Sequence, residues 1–164
     1  MAKAEASIEI GAPLAEVWDL YFDRDRWASW VDGFASVTSE SGYPDAGGSL
    51  TWRSTPAGRG VVTERVTAHD QRSLHRIDYD DPESSGSLEV TFEMLPAPAD
   101  SSESGGSGRR TKVSQKLDYT IKTGGPLKPV LDVLFVRSQM RRSLERSLIE
   151  LRLEAERTGG TQAA

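Results

Sequence analysis

Glu64, Arg65, His75 and Tyr79 fall within one short stretch, GVVTERVTAHDQRSLHRIDY. A carboxylate, a guanidinium, an imidazole and a phenol on neighbouring strands suffice for acid–base work or for holding a polar ligand group. The stretch reads as two β-branched strands joined by the turn AHDQ. Pairing Val66 with Leu74 across that turn sets Glu64 opposite Arg76 and Val62 opposite Asp78 on one face. The other face then carries Arg65 with His75, Thr63 with Ile77 and Val61 with Tyr79. With the first face inward, a buried Glu64–Arg76 pair would orient a polar ligand group. With the second inward, His75, Tyr79 and Arg65 form the polar end of a pocket. Ile77 and Tyr79 are easier to bury than Arg76 and Asp78, which favours the second. A one-residue slip of register exchanges the two. His69, the other histidine, sits in the turn beside Asp70. His75 has an intrinsic pKa suited to proton transfer, with a purely structural strand histidine as the alternative.

Other chemistries find little support. The chain has no cysteine, which removes disulfides, thiolate metal sites and a cysteine nucleophile. No histidine or carboxylate cluster has metal-ligand spacing, and there is no GxGxxG, phosphate loop or GxSxG elbow. No metal or cofactor is expected. A net charge of −5 and a pI near 5.1 argue against nucleic acid as a partner. No apolar run approaches the roughly 20 residues of an integral membrane segment. The opening MAKAEASIEIGAP lacks the apolar core of a secretory signal, so a cytoplasmic location is expected.

At 164 residues the chain is read as one domain over residues 1–158, followed by a disordered tail at 159–164. Ala6 to Ile10 predicts a strand, and Ala12-Pro13 opens a helix carrying Leu14, Val17, Trp18, Tyr21 and Phe22 at helical spacing. A second short helix follows with Trp27 and Trp30. Strands are predicted at Phe34–Ser41, around Leu50–Ser54, at Gly60–Ala68 and at Ser73–Asp80. Two more alternate cleanly. One places Leu88, Val90, Phe92 and Met94 on a single face, and the other Val113, Gln115, Leu117, Tyr119 and Ile121. One buried and one wet face mark an antiparallel sheet. Residues 96–110, rich in Pro, Ser and Gly, read as a flexible hairpin loop. After Thr123-Gly124-Gly125 the period becomes helical from about Val130 to Arg157. Its apolar stripe includes Leu131, Leu134 and Phe135, and its charge pairs are Arg141–Glu145, Arg146–Glu150 and Arg152–Glu156. Such a helix is roughly 42 Å long at 1.5 Å per residue and must lie across something broad.

This order resembles the α+β helix-grip fold of the START/Bet v 1-like (SRPBCC) superfamily, within it most the polyketide cyclase/dehydrase and lipid-transport group. Three stretches carry the likeness: SIEIGAPLAEVWDLYFDRDRWASW, the hairpin quoted above, and GGPLKPVLDVLFVRSQMRRSLERSLIELRLEAE. The resemblance implies a curved sheet of about seven antiparallel strands wrapped around a long C-terminal helix, with two short helices after the first strand. It also implies a cavity between sheet and helix. Candidate lining residues are Trp30 and Trp52, then His75, Ile77 and Tyr79, then Val90, Phe92 and Met94, then Leu117 and Tyr119, and Leu131, Leu134 and Phe135 on the helix.

Three functions fit. The first is binding, with or without transport, of a small hydrophobic molecule such as a lipid, isoprenoid or polyketide. The second is a cyclase or dehydratase acting on a polyketide-like chain in the same cavity, with His75, Tyr79, Arg65 or Glu64 as the acid–base group. The third is a co-chaperone-like or antitoxin-like interaction module, which needs an exposed apolar patch. Monomer and homodimer both remain open. Ligand entry would pass either the 96–110 loop, acting as a lid, or a hinge at Gly124-Gly125-Pro126.

Overall fold

The computed structural model describes residues 1–96, 109–122 and 130–161, with side chains in the last segment from 136 to 159. Strand β1 (Ala2–Ile10) leads into α1 (Leu14–Phe22), a 3-10 turn (Arg24–Arg26) and the single-turn α2 (Trp27–Trp30). Six strands follow: β2 (Phe34–Ser41), β3 (Ser49–Ser54), β4 (Val61–Asp70), β5 (Leu74–Asp80), β6 (Ser84–Leu95) and β7 (Arg110–Ile121). Helix α3 spans Val130–Thr161. It therefore continues through residues expected to be tail. The expected loop at 96–110 and the Gly124-Gly125-Pro126 hinge fall almost wholly outside the described residues.

The seven strands form one antiparallel sheet in the order β1-β7-β6-β5-β4-β3-β2. Alternation supplies the two faces, as the periodicity predicts. On β7 Thr111, Val113, Gln115, Leu117 and Tyr119 are buried, and the residues between them are not. The convex face is a charged lattice. Arg76 pairs with Glu89, Lys3 with Asp118 and Arg110 with Glu9. Helix α3 lies along β1 and against α1 and α2, burying Leu148, Leu151 and Ala155.

The charges on α3 pair only in part as the helical spacing suggests. Arg141–Glu145 forms at 2.8 Å. Arg146 instead lies 3.9 Å from Asp32, Glu156 accepts from the Gly11 backbone N–H at 2.9 Å, and Glu154 binds Arg26. The connections at either end of α1 and α2 need partners for their polar groups, and these long side chains reach them. The helix is thus tethered to the two turns that carry the tryptophans.

The β4–β5 hairpin departs from expectation in register. The observed partners are His69 with His75, Val66 with Ile77, Arg65 with Asp78 and Glu64 with Tyr79, with a bulge between Val66 and Ala68. The chain reverses at residues 71–73, where Arg72 takes a positive φ of 59°. The expected Glu64–Arg76 pair therefore does not form, and Arg76 points outward to Glu89. Arg65 is exposed on the convex face.

Gly86 is the tightest point of the sheet. A Cβ there would lie 1.9 Å from the Asp118 carbonyl oxygen and 2.8 Å from the Tyr119 Cα, both backbone atoms that cannot yield. Gly86→Ala is expected to cost about 3 kcal/mol, at the upper end of the range for overpacking. Gly159→Ala, on an exposed turn of α3 with only Glu16 at 3.8 Å, is expected to be neutral or stabilising. Urea unfolding of the two variants beside the parent chain checks both.

Candidate functional site

The concave face of the sheet, α1, α2 and the middle of α3 line a half-open cavity of about 120 Å³. Its walls are aromatic: Tyr21 from α1, Trp27 and Trp30 from α2, Tyr43 from the β2–β3 connection and Trp52 from β3. Ile77, Leu88 and Leu144 add aliphatic surface. The polar groups that reach it are Asp32, Arg59, Glu64, His75, Gln115, Ser143 and Ser147.

Both tryptophans of RDRWASW are buried and both line the cavity. Their roles differ. The Trp27 indole N–H donates to the Tyr21 carbonyl at 2.8 Å, which locks α2 onto α1. The Trp30 indole N–H is buried without a protein partner among the described residues. An indole usually finds an acceptor when buried, so Trp30 keeps a donor in reserve beside the cavity. Gln115 donates to the Tyr21 hydroxyl at 3.0 Å, and its Oε1 is buried and unpartnered among the described residues.

Glu64 is the central charge. It accepts from the Trp52 indole N–H at 2.7 Å. Burial pushes its pKa up from 4.5 to about 6, against the pull of that hydrogen bond and of Arg59. Arg59 lines the same cavity with its charge paired to Asp81 and its Nη2 without a hydrogen-bond partner among the described residues. Its Nε donates to Asp81 at 2.7 Å, a second nitrogen lies 2.5 Å from the same carboxylate, and the guanidinium sits 4.6 Å from the Tyr79 ring centroid.

The bulge in β4 turns His69 to the concave face, beside His75. The two Nδ1 atoms are 3.0 Å apart, and His75 Nε2 is 3.4 Å from the Tyr43 hydroxyl. The Nδ1–Nδ1 contact requires one ring to donate and the other to accept. Burial, and then the neighbouring His69, press the His75 pKa down to about 3, so the ring is neutral at physiological pH. Burial also raises Tyr21 and Tyr43 above the usual phenol range. A line Tyr43–His75–His69 thus runs from the cavity to a half-buried imidazole near the surface.

Of the sequence candidates, Trp30, Trp52, Glu64, His75 and Ile77 meet at the cavity. Tyr79 is buried beside it, with its hydroxyl 3.3 Å from Ser84 Oγ. Val90, Phe92, Leu117 and Tyr119 are buried on the concave face but belong to the packed core around the described cavity. Phe92 lies under Trp18 and Tyr21. Met94, two residues further along β6, lies past that cover and is 67% exposed. It is a surface residue and no part of the lining. Arg65 is likewise excluded by its outward direction. The side chains of Leu131, Leu134 and Phe135 lie outside the described residues. Sequence reading missed Tyr21, Trp27's place at the cavity, Tyr43, Arg59 and Gln115 as site residues. Gln115 left a signal, a polar residue on an otherwise apolar strand face. Tyr43 and Arg59 sit in irregular connections, where periodicity carries no information.

No helix among the described residues is long and apolar enough to cross a membrane, and no group of side chains there could hold a metal ion. The chain superposes on the Zhui aromatase/cyclase from a Streptomyces species with a TM-score of 0.73 and 19% identity, covering 95% of this chain and 94% of that one. A START superfamily protein from Mycobacterium smegmatis gives 0.69 and 13%, covering 95% and 98%. A protein from Thermus thermophilus gives 0.61 and 19%, covering 94% and 97%. At these identities the likeness establishes the helix-grip fold. No curated protein matches in a sequence search. The family model for polyketide cyclase / dehydrase and lipid transport matches residues 1–156, so the chain belongs to that family.

Proposed function

We propose that the chain binds a small hydrophobic molecule in the cavity between the sheet and α3, with family membership supporting a lipid, isoprenoid or polyketide. One observation carries this reading: an aromatic cavity into which a few polar atoms converge, three of them, Trp30 Nε1, Arg59 Nη2 and Gln115 Oε1, buried without hydrogen-bond partners among the described residues. Such atoms cost about 1–3 kcal/mol each when nothing pairs with them, which a ligand with matching groups recovers. The volume of about 120 Å³ is near the roughly 150 Å³ that admits benzene. The described cavity therefore takes one ring or a short chain, and the rest of a longer ligand extends beyond it.

Native mass spectrometry of freshly purified protein, followed by solvent extraction, is expected to show a stoichiometric apolar adduct. Trp27, Trp30 and Trp52 line the cavity, so quenching of indole fluorescence reports the same event in solution. A clean mass together with no quenching by a panel of small apolar molecules overturns the reading.

The line Tyr43–His75–His69 favours a second reading, a cyclase or dehydratase that moves a proton at a bound carbonyl compound. It requires turnover of a poly-β-ketone probe that His75→Asn and Tyr43→Phe slow at least tenfold, followed by chromatography of the products. Binding without turnover leaves the first reading alone.

Glu64 sets a pH dependence in either case. Its folded pKa of about 6 lies above the unfolded 4.5, so its contribution to stability is full below pH 4.5 and is lost as pH rises through about 6. At 1.36 kcal/mol per unit the loss is about 2 kcal/mol. Glu64→Gln keeps an acceptor for Trp52 and cannot ionise. The variant is expected to gain about 2 kcal/mol on the parent between pH 4 and pH 7.5. His75 titrates in both proteins and cancels from the difference. Urea unfolding at the two pH values tests this, and a difference independent of pH refutes it.

A further inference from the structure

The charges around the cavity are unbalanced. Glu64 has one hydrogen bond among the described residues, from Trp52. The single cation among the described lining residues, Arg59, is ion-paired with Asp81 and lies over the Tyr79 ring, with its Nη2 left without a hydrogen-bond partner among the described residues. Asp32, at the edge of the cavity, accepts from Ser143 and lies near Arg146. The other titratable groups facing Glu64 are Tyr21 from α1, Tyr43 from the β2–β3 connection, and His75 and Tyr79 from β5, all uncharged near neutral pH. Helix α3 faces it with Ser143, Leu144 and Ser147, which carry no charge. Among the described residues, an ionised Glu64 thus has no unpaired cation beside it. The rings of Tyr21, Trp27, Trp30, Tyr43 and Trp52 line the same cavity, and an aromatic face attracts positive charge.

We propose that the buried end of the ligand is a ring-sized organic amine whose N–H groups engage Glu64 inside this aromatic box, and that carboxylates of the same shape are rejected. The proposal rests on the ligand-binding reading and specifies the class of molecule bound. A carboxylate placed here would meet Glu64, and the positive charge of the one guanidinium among the described lining residues is already offset by Asp81. An ammonium meets one opposite charge and a lining of aromatic rings in a partly enclosed site, where both attractions exceed those in bulk water. The size of the cavity admits one ring.

The test uses the full chain and three probes of equal shape: benzylamine, benzyl alcohol and benzoate. Tryptophan fluorescence and titration calorimetry at pH 5 and pH 8 give the affinities. Glu64 titrates near pH 6, so about one molecule in ten carries the charge at pH 5 and nearly all do at pH 8. Benzylamine, protonated at both values, is expected to bind about tenfold more tightly at pH 8 and more tightly there than benzyl alcohol. Benzyl alcohol should change less than about threefold, and benzoate should bind weakest at pH 8. Glu64→Gln, checked for folding by circular dichroism, is expected to lose both the amine preference and the pH step, although the parent chain alone decides the question. Benzyl alcohol binding without any gain for benzylamine overturns the amine proposal and leaves the hydrophobic reading standing. Benzoate binding tightest overturns it and shows that Arg59 is available. Failure of all three probes to bind at either pH overturns the ligand-binding reading of this cavity itself.

Discussion

Between Val66 and Ala68 strand β4 carries an extra residue, Thr67, that has no Cα partner on β5. A bulge of this kind reverses the alternation of side chains on one side of itself. Before it Val62, Glu64 and Val66 face the concave side, and beyond it His69 does so as well. Without the bulge His69 would share the wet face with Arg65 and could not meet His75. The same residue sets the pairing of Glu64 with Tyr79, and so brings the carboxylate level with the buried end of β5. The placement of the acid and the histidine pair therefore depends on one inserted backbone unit.

The elements around the cavity hold one another by polar contacts at their ends and by aromatic packing at their centres. Trp18, Tyr21 and Phe22 on α1 pack against Phe92 and the histidine pair, with ring centroids between 4.9 and 6.4 Å apart. Asp32 accepts from Ser143, and its backbone N–H donates to Ser147 at 2.9 Å, so the turn after α2 is stitched to α3. Glu154 and Glu156 do the same for the 3-10 turn and the end of β1. Helix α3 is held to the sheet by apolar burial and to the connecting turns by charge. The cavity lies where these two kinds of attachment meet.

The helix-grip order was legible because each element carries its own period. Strict alternation on β6 and β7 and the helical stripe after residue 130 each survive errors of a few residues. The site was less legible because it depends on the relation between strands. A turn at AHDQ gives partners whose numbers sum to an even value, so Glu64 falls with Arg76, and Glu64 and His75 appear to exclude each other. The true turn, centred two residues later, keeps that parity for His69 and His75, and the bulge then changes it for Val66 and Glu64. Both candidate groups consequently lie on the same face. Nothing in VTAHDQRS marks the reversal at Arg72, which is neither glycine nor asparagine yet takes a left-handed φ. Tyr43 and Arg59 were invisible for a related reason, since connections have no period.

The fold alone does not choose the guest, and the lining narrows the choice by what each polar group has already done. Arg59 has committed its charge to Asp81, His75 is held neutral by burial and by His69, and Tyr21 and Tyr43 are kept as phenols. Of these groups Glu64 alone retains a charge that changes within the ordinary pH range, and of the lining tryptophans Trp30 alone retains an indole N–H without a partner among the described residues. Each is costly in a partly enclosed aromatic site, and each is relieved by a different atom of a guest: a donor for Glu64, an acceptor for Trp30. A purely apolar guest relieves neither. The energetics of the lining therefore favour an amphipathic molecule with one apolar ring and at least one N–H or O–H group, bound with its polar end inward.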